Sequence, residues 1–443
     1  MLSSSNVSKK IKAMIDIKQI RENPQKFEKA AKNKHFEADI NKLLEIDKAL
    51  KEAKQKLQNI STEKNRIGKS ISALSGTEKK DILSQLSNLK QTESELSEQI
   101  KKLNPEFDEL ILQVPQPADD DVPTGKDDTE NVEIRKEGQI RKFDFEPKDH
   151  LQLGLALDII DIERGVKLAG TRNYFLKGNG ALLHWALLRF AMDYMVDKGY
   201  VPLSVPLLMK NEAMRGTGYY PGSEDQTYRM EKDRLNLVGT AEVPLTAYHS
   251  GEILNADDLP QKYVAMSSCF RREAGAAGKD TYGLYRIHQF DKVEQVIICK
   301  NSIEQSNKFH DEILANSESV MSALELPYRI VNVCTGDLGR GQAKKFDIEA
   351  WMPSRKNYCE THSASKFYDF QARRMNLRYK DTSAKKNLFC HTLNNTVIAS
   401  PRILIPILEL YQNADGSITI PKALRPYMAG KEKIVHSQVK NPR

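Results

Sequence analysis

Cysteine is scarce in this chain of 443 residues, and none of the five cysteines belongs to a Cys-x-x-Cys pair. They stand far apart along the sequence, at Cys269, Cys299, Cys334, Cys359 and Cys390. An odd number of isolated cysteines supports neither a disulfide framework nor a zinc site. We therefore expect a protein of a reducing compartment, the cytoplasm.

Long apolar runs are missing as well. The chain has no stretch of 18 apolar residues, and its first residues, MLSSSNVSKKIKA, hold no apolar segment suited to secretion. Neither a membrane span nor a signal peptide is expected. The formal net charge of +7 permits a polyanionic partner, provided that the basic residues are concentrated in one region.

Two common nucleotide-binding signatures are absent: the sequence contains no GxxxxGK[ST], and no GxGxxG follows a strand pattern. If this protein binds a nucleotide, side chains rather than a glycine-rich loop must hold the phosphates.

Apolar residues recur at alternating steps of three and four in two long segments. The first segment runs from Leu43 to Ile71, and the second runs from Ile82 to Leu110. This spacing predicts coiled-coil helices. If the second helix folds back on the first, the apolar positions of both pair in one register, and the turn falls at Gly76 and Thr77. The sequence thus predicts an antiparallel two-helix coiled-coil arm.

The charge of this arm is uneven. Residues 54–80 hold seven Lys or Arg against two glutamates, whereas residues 81–111 hold three lysines against seven acids. A basic end favours contact with nucleic acid, because lysine clusters bind phosphate. A merely solvated face or a dimerisation stalk would show a similar pattern, and both alternatives stay open at this point.

The rest of the chain predicts a domain of the α+β class. Residues 1–13 are an extension that we expect to be disordered, residues 14–113 form the helical arm, and residues 114–133, rich in Pro and acidic residues, form a linker. Residues 134–443 alternate helical and strand patterns without repeated βαβ units. This favours an antiparallel sheet flanked by helices.

One predicted hairpin carries an unusual set of side chains, within CFRREAGAAGKDTYGLYRIHQF (269–290). Strand alternation places Arg271 and Glu273 on one face, and after the turn it places Arg286, His288 and Phe290 on one face. Lys292 and Glu294 continue that face. Guanidinium groups can bind phosphate, an aromatic ring can stack on a base, and a carboxylate can bind an ammonium group. These are the components of a site for ATP and an amino acid.

These residues resemble those of a known family. FRREAGAAGKDTYGLYRIHQF is similar to motif 2 of the class II aminoacyl-tRNA synthetases, KGYVPLSVPLL to motif 1, and TVIASPRILIPILELY to motif 3. Flanking segments such as GTAEVPLTAYHSGEIL and DGSITIPKALRPYM resemble the seryl-tRNA synthetases in particular. The resemblance extends from about Met14 to Met428 and includes the arm.

The resemblance implies roles in ATP binding. Arg271 would contact the α-phosphate, Arg402 the γ-phosphate, Glu273 the adenine amino group, and Phe290 and Ile287 the base. Glu360 and Ser363 would hold Mg²⁺, for which hard oxygen ligands are suited. Arg271 and Arg402 are the implied catalytic residues. The full implied ATP set is Arg271, Arg272, Glu273, Ile287, Phe290, Glu360, Thr361, His362, Ser363 and Arg402.

The resemblance also implies the other substrates and partners. L-serine would be bound by Thr240, Ala241, Glu242, Arg271, Glu294 and Thr396. Alanine would leave the polar atoms of such a pocket unpaired and would be disfavoured. The implied reaction is the ATP-dependent formation of seryl-adenylate and the transfer of serine to the 3'-terminal ribose of tRNA(Ser). The implied assembly is a homodimer, with Pro206 at its interface.

The sequence departs from the family pattern before the motif 3 arginine. In LNNTVIASPR (393–402), Asn395 and Val397 stand where many relatives have glycine, Thr396 replaces serine, and Pro401 replaces glycine. His362 stands where relatives often carry a small residue. Arg402 and the hydroxyl of Thr396 are retained, so we expect activity.

Two other functions fit parts of the sequence. One is a related ligase that loads an amino acid onto a carrier protein, but such ligases lack the long arm and use zinc. The other is a catalytically idle RNA-binding relative, which would be expected to lose Arg271, Glu273, Glu360 or Arg402. All four are present.

Overall fold

The computed structural model describes residues 15–70, 76–276, 278, 280–381 and 385–436. The predicted extension and Ile71 lie outside the described residues. The chain divides into two compact units, one of residues 15–117 and one that begins at Ala118. Among the helices that the structure describes, none has the length and apolar character needed to cross a membrane.

The first unit consists of helices. They are α1 (Ile17–Glu22), α2 (Pro24–Asn33), α3 (Ile40–Ser70) and α4 (Gly76–Gln113). Asn23 caps α2 by accepting a hydrogen bond from the Lys26 amide, and Pro24 occupies the first turn, where no amide donor is needed. The helices α3 and α4 pack against each other along a seam that includes Ala53, Ile60 and Leu96.

The predicted coiled-coil arm is confirmed in α3 and α4. Ion pairs join the two helices, between Lys64 and Glu93 at 2.5 Å and between Lys42 and Glu106 at 2.7 Å. Both pairs lie toward solvent and add little stability compared with the buried seam. The predicted turn residue Gly76 is already the first residue of α4, and the connection before it (71–75) lies outside the described residues.

The second unit is built on an eight-stranded sheet in the order β1, β11, β12, β13, β16, β10, β9, β4. Its strands are β1 (Val132–Glu137), β4 (Val201–Pro202), β9 (Gln261–Phe270), β10 (Gln289–Cys299), β11 (Tyr328–Asn332), β12 (Lys344–Met352), β13 (Asn357–Tyr368) and β16 (His391–Ser400). All neighbours are antiparallel except β4 and β9. The antiparallel sheet predicted from the sequence is confirmed.

Smaller sheets and eight helices surround this sheet in the described part of the unit. The short strands are β2 (Ile160–Asp161), β3 (Phe175–Leu176), β5 (Leu208–Lys210), β6 (Arg229–Met230), β7 (Leu235–Leu237), β8 (Ile253–Asn255), β14 (Arg378–Asp381), β15 (Lys386–Phe389), β17 (Ile418–Thr419) and β18 (Lys433–Ile434). The helices are α5 (His150–Ala156), α6 (Ile162–Ala169), α7 (Asn179–Asp197), α8 (Asn211–Thr217), α9 (Glu242–Ala247), α10 (Ile303–Ala323), α11 (Phe370–Met375) and α12 (Leu404–Leu410).

The centre of the large sheet is buried on both faces, because apolar residues of β10 alternate between two cores. Val293 and Ile297 belong to the core that contains residues of α7, α10 and α12, whereas Val296 and Ile298 belong to the core beside α9 and α11. Alternate side chains of a strand point to opposite faces. A strand buried in this way provides a rigid base for polar side chains at its open end.

The segment that begins at Ala118, directly after the first unit, packs against the rest of the second unit. The Asp119 amide donates to the Ala343 carbonyl at 2.9 Å, and the Asp119 carboxylate binds Lys366 at 2.6 Å. Val122 packs in a small apolar cluster with Val331 and Val333. Within the range predicted as a linker, residues from 118 onward therefore belong to the second unit.

Candidate active site

A cavity of about 240 Å³ lies over one face of the central strands β10, β13 and β16. Its walls come from the hairpin between β9 and β10 and from the segment after β16. The lining side chains used below are Tyr219, Glu242, Arg271, Glu273, Leu284, Tyr285, Arg286, Ile287, Phe290, Lys292, Glu294, Glu360, Thr361, Ser363, Ser365, Asn394, Thr396 and Arg402. Arg271, Phe290, Glu360 and Arg402, which are far apart in sequence, therefore share one hollow.

The hairpin places its charged and aromatic groups by strand alternation. Phe290, Lys292 and Glu294 follow one another along one face of β10 and line the cavity. Arg271 directly follows β9, and its guanidinium lies 5.2 Å from the centre of the Phe290 ring. Glu273 crosses to the other limb and binds Arg286 at 2.7 Å. A guanidinium and an aromatic plane thus stand side by side.

His288 does not continue this face. The strand β10 begins only at Gln289, and the His288 side chain is absent from the cavity lining. Its Nδ1 donates to the Arg271 carbonyl at 3.0 Å. His288 therefore links the two limbs of the hairpin and fixes the backbone of Arg271.

A β-bulge determines which residues of β13 face the cavity. Ile348 pairs with His362 and Glu349 pairs with Glu360, so Thr361 is an extra residue in β13. Simple alternation would put Glu360 and Ser363 on opposite faces, but the bulge brings both to the cavity wall. Two hard oxygen ligands thus become neighbours.

Arg402 lines the cavity and is held by contacts with Tyr285. Its Nε donates to the Tyr285 carbonyl at 3.2 Å, and its guanidinium lies 4.3 Å from the centre of the Tyr285 ring. Arg355 lies over the same ring at 4.1 Å. The Glu360 carboxylate is 3.7 Å from Arg402. Burial acts to raise the pKa of Glu360, but the charges of Arg402, Lys345, Arg271 and Lys292 together outweigh it and lower this pKa.

Carboxylates occupy another part of the same cavity. Glu294 is buried and binds Lys292 at 2.5 Å, and it accepts a hydrogen bond from the Thr396 hydroxyl at 3.3 Å. Glu242 is also buried and accepts from Tyr219 and from Gln371, each at 2.8 Å. Both oxygens of Glu242 are thus held in place before a ligand binds.

The electrostatics of this acidic part favour a cationic ligand. Burial, followed by the charge of Glu294, raises the pKa of Glu242 to about 7. Lys292 is the buried cation bound to Glu294. A ligand that brings an ammonium group would relieve the repulsion between the two carboxylates, so this part of the cavity suits the amino group of an amino acid.

Two of the residues that replace glycines of the family pattern, Asn395 and Val397, point away from the cavity. The Asn395 amide donates to the Ile313 carbonyl and to the Ser317 hydroxyl, and Val397 is fully buried in the core. Val397 forms a bulge, since Glu294 pairs with Thr396 and Val293 with Ile398. The replacements are therefore accommodated in the core, while Thr396 keeps its hydroxyl on the cavity side.

Four of the predicted site residues do not line the cavity. Arg272 is exposed, and Thr240 and Ala241 are buried behind the wall, where the Thr240 hydroxyl accepts from the Glu242 amide at 3.1 Å. His362 is buried and its Nε2 donates to the Val397 carbonyl at 3.0 Å. Burial lowers the pKa of His362 to about 4, so its imidazole is neutral near pH 7.

Several lining residues carried no signal in the sequence. Tyr219 reaches the cavity from the loop after α8, and Asn394 reaches it from the central strand β16; no local pattern marks either residue as functional. Asn394 is 4% exposed, and its Nδ2 has no hydrogen-bond partner. A buried donor without a partner beside a cavity indicates a ligand atom that can accept. Only the position of Asn394, two residues before Thr396 on the same strand face, could have suggested it.

The donor set fits Mg²⁺. Among the described residues, no three or more His, Cys, Asp or Glu side chains form a metal-holding group. Mg²⁺ does not require such a cage, because it is commonly held by one or two protein ligands together with substrate phosphates. The Glu360 carboxylate and the Ser363 hydroxyl on the bulged wall are hard ligands of that kind.

Comparisons with known proteins match both units. Residues 14–117 match the family model described as the seryl-tRNA synthetase N-terminal domain, and residues 226–411 match the tRNA synthetase class II core domain (G, H, P, S and T). A serine–tRNA ligase of Deinococcus radiodurans is 43% identical over 95% of this chain and 98% of its own length. One of Dictyoglomus turgidum is 41% identical over 95% and 99%.

Two solved structures also match this chain over almost its whole length. A crystal structure of seryl-tRNA synthetase from Pyrococcus horikoshii complexed with ATP superimposes with a TM-score of 0.90, at 35% identity, over 96% of this chain and 100% of that chain. The cytoplasmic serine–tRNA ligase of Naegleria fowleri in complex with AMP gives a TM-score of 0.84 at 30% identity, over 97% and 99%.

Proposed function

The chain belongs to the seryl-tRNA synthetase family, and we propose, on that premise, how its residues carry out the family reaction. The protein activates L-serine with ATP to seryl-adenylate and transfers serine to the 3'-terminal ribose of tRNA(Ser). The observation that carries the residue assignment is a single cavity lined by Arg271, Phe290, Glu360 and Arg402 together with Glu242, Glu294 and Thr396.

Activation requires the serine carboxylate to attack the α-phosphorus in line, with pyrophosphate leaving. Negative charge spreads over the phosphate oxygens during this step, so fixed cations accelerate it without acting as nucleophiles. Arg271 stabilises the α-phosphate, and Arg402, held against Tyr285, binds the γ-phosphate. Phe290 and Ile287 support the adenine ring, and Glu273 lies on the same wall.

Serine is selected in the acidic part of the cavity. Its ammonium group lies between Glu242 and Glu294, and the buried cation Lys292 binds Glu294 at 2.5 Å. Its hydroxyl can donate to Glu294 and accept from the free Nδ2 of Asn394, next to Thr396. Alanine would leave that buried donor unpaired, which costs about 1–3 kcal/mol. Thr240 and Ala241 do not line the cavity, and their role in this proposal is to position Glu242.

Mg²⁺ is assigned to Glu360 and Ser363. When bound, the ion supplies positive charge to the phosphate oxygens. The lowered pKa of Glu360 keeps its carboxylate ionised and ready to bind a cation. Thr361 supports this wall, because its hydroxyl donates to the Ile348 carbonyl at 3.1 Å and fixes the bulge. Arg272 and His362, which do not line the cavity, have no direct contact with ATP in this proposal.

The first unit, residues 15–117, is assigned to tRNA binding. The uneven charge of the arm supports this assignment, because its basic end can bind phosphates. The second unit carries out the chemistry. We place the protein in the cytoplasm, in keeping with its free cysteines.

A homodimer is proposed from an exposed apolar surface. Trp185 is 61% exposed and Met266 51%, and they line a groove that also includes Pro202 and Leu188; Val201, which precedes Pro202, is 50% exposed. The groove lies beside β4, the edge strand of the large sheet. An exposed apolar patch at a sheet edge is typical of a protein interface. Pro202, Leu203 and Ser204, which line the groove, belong to motif 1.

The test of the proposed function is pyrophosphate exchange with each of the twenty amino acids in turn. We expect exchange with serine to exceed that with alanine, threonine or cysteine by orders of magnitude. Exchange with another amino acid, or exchange with none while the protein still binds tRNA, would contradict the proposal. The second result would favour the idle RNA-binding relative.

A further inference from the structure

A buried histidine outside the cavity holds one wall of it. His150 is the first residue of α5, 5% exposed, and its ring contacts a different segment through each nitrogen. The Leu284 amide donates to Nε2 at 3.2 Å, and Nδ1 lies 2.8 Å from a carboxylate oxygen of Glu409. Leu284 lines the cavity, whereas His150 does not.

These contacts define the protonation of the ring. An amide can only donate, so Nε2 must be the acceptor and must carry no proton. Nδ1 then bears the proton and donates it to Glu409. In a doubly protonated ring, the proton on Nε2 would face the N–H of Leu284, and this hydrogen bond would be lost. The bond to the loop therefore requires neutral His150.

Glu409 is anchored independently of the loop. It is fully buried on α12, and its carboxylate also accepts from the His150 amide at 3.1 Å, from the Ser354 amide at 2.9 Å and from the Ser354 hydroxyl at 2.8 Å. Together with the His150 ring, these groups give the carboxylate four hydrogen-bond donors. His150 thus connects the loop to Glu409, a fixed residue of α12.

The loop is shaped to accept the ring. Gly283 has φ of +79°, and a Cβ at this position would lie 2.2 Å from His150 Nε2. Only glycine permits such an approach. Next to it, the Tyr282 hydroxyl donates to Asp149 at 3.1 Å, so α5 contacts the loop at two successive points.

The held segment contacts the residues assigned to the phosphates. Tyr285 follows Leu284, its carbonyl accepts from Arg402, and its ring lies beneath Arg402 and Arg355. A shift of Leu284 would therefore move Tyr285 and release Arg402. The serine-binding residues Glu242 and Glu294 are held by other contacts, to Tyr219, Gln371 and Lys292.

We propose that His150 is a positioning residue of the ATP site: linked to Glu409, it holds the return limb of the 271–290 hairpin so that Tyr285 and Arg402 face the triphosphate. The proposal rests on the proposed function, because it takes the cavity to bind ATP. It adds a role that acts on the nucleotide and not on serine.

Two substitutions separate the two ring contacts. In His150→Asn the amide reaches the position of Nδ1 and keeps the bond to Glu409 but not the bond to Leu284. In His150→Gln the amide oxygen reaches the position of Nε2 and can accept from Leu284, while the bond to Glu409 is lost. A purely structural role would make both variants alike in their kinetics.

The measurement is the KM of each substrate in pyrophosphate exchange. In His150→Asn we expect the KM for ATP to rise at least about tenfold, since a buried amide loses its acceptor, while the KM for serine stays within about twofold. In His150→Gln we expect the KM for ATP to stay within about threefold of the unmodified protein. Equal ATP KM values in both variants, or parallel rises for ATP and serine, would overturn the proposal.

A measurement on the unmodified protein remains decisive if a variant fails to fold. Hydrogen exchange without substrates should show the Leu284 amide protected at least about a hundredfold relative to the exposed residues of the same hairpin. Exchange of Leu284 at the rate of those residues would overturn the proposal. If the unmodified protein lacked serine-dependent exchange, the proposed function would fail instead.

Discussion

Replacing Glu242 by glutamine should stabilise the protein and impair serine binding at the same time. Glutamine keeps the size of the side chain and can still bond with Tyr219, but it removes one of two buried carboxylates. In the unmodified protein, burial and the charge of Glu294 raise the pKa of Glu242 from its ordinary value of 4.5 to about 7. The folded state therefore holds a proton that the unfolded chain releases.

The sign and size of the effect follow from proton linkage. The stability that this proton contributes is fully present below about pH 4.5 and is lost as the pH rises through about 7. A shift of roughly 2.5 units at about 1.4 kcal/mol per unit corresponds to about 3.5 kcal/mol. The Glu242→Gln variant does not lose this stability as the pH rises. Its stability advantage should thus grow by about 3.5 kcal/mol between strongly acidic and alkaline pH.

The assay is thermal unfolding of both proteins at pH 5.5, 6.5, 7.5 and 8.5. We expect the unfolding temperature of Glu242→Gln to exceed that of the unmodified protein by a few degrees at pH 8.5 and by much less at pH 5.5. Asp347, whose pKa is raised to about 7, mainly by burial, is present in both proteins, so its contribution cancels. Glu212→Gln, on an exposed part of α8, controls for the loss of one charge.

Serine provides the second half of the test. Its ammonium group should favour the ionised form of Glu242, so saturating serine should raise the unfolding temperature of the unmodified protein at pH 8.5 and have little effect on the variant. The reasoning would be refuted by a stability difference that stays constant from pH 5.5 to 8.5, or by one that grows toward acid.

Three further predictions concern the phosphates, the arm and the interface. Arg402→Ala should lower serine-dependent pyrophosphate exchange by at least about a hundredfold and leave tRNA binding within about twofold; unchanged exchange would contradict the assignment of Arg402. Deletion of residues 54–98 should leave exchange nearly intact and lower kcat/KM for tRNA charging by about a hundredfold, whereas an equal loss of both would argue against the arm as a tRNA-binding element. Trp185→Asp should convert a dimer to monomers in light scattering, while Ile303→Asp, at a position 64% exposed elsewhere on the unit, should not; a dimer that survives Trp185→Asp would exclude the proposed interface.

The parts of the fold that depend on regular periodicity could be predicted from the sequence. Alternating apolar steps located α3 and α4, since a coiled-coil seam repeats over many residues and errors at single positions cancel. Alternation also located Phe290, Lys292 and Glu294 on one face of β10. In each case the pattern agrees with the structure because residues spaced by the period of a helix or a strand lie on the same face of it.

The parts that depend on irregular backbone or distant partners could not be predicted in this way. The bulge at Thr361 adds a residue that alternation does not reveal, and His288 lies just before the strand that was expected to include it. His150 precedes Leu284 by more than a hundred residues, so no local spacing connects them. The inward direction of Asn395 and Val397 becomes apparent only when α10 packs behind β16.

The extra residue at Thr361 also has a consequence for how this protein can change during evolution. A one-codon deletion of Thr361 would leave one residue between Glu360 and Ser363, and regular alternation would then still turn both toward the cavity. The deletion would remove the bulge together with the hydrogen bond from the Thr361 hydroxyl to the Ile348 carbonyl. We expect lineages either to keep the bulge with a hydroxyl at this position or to lose the whole residue.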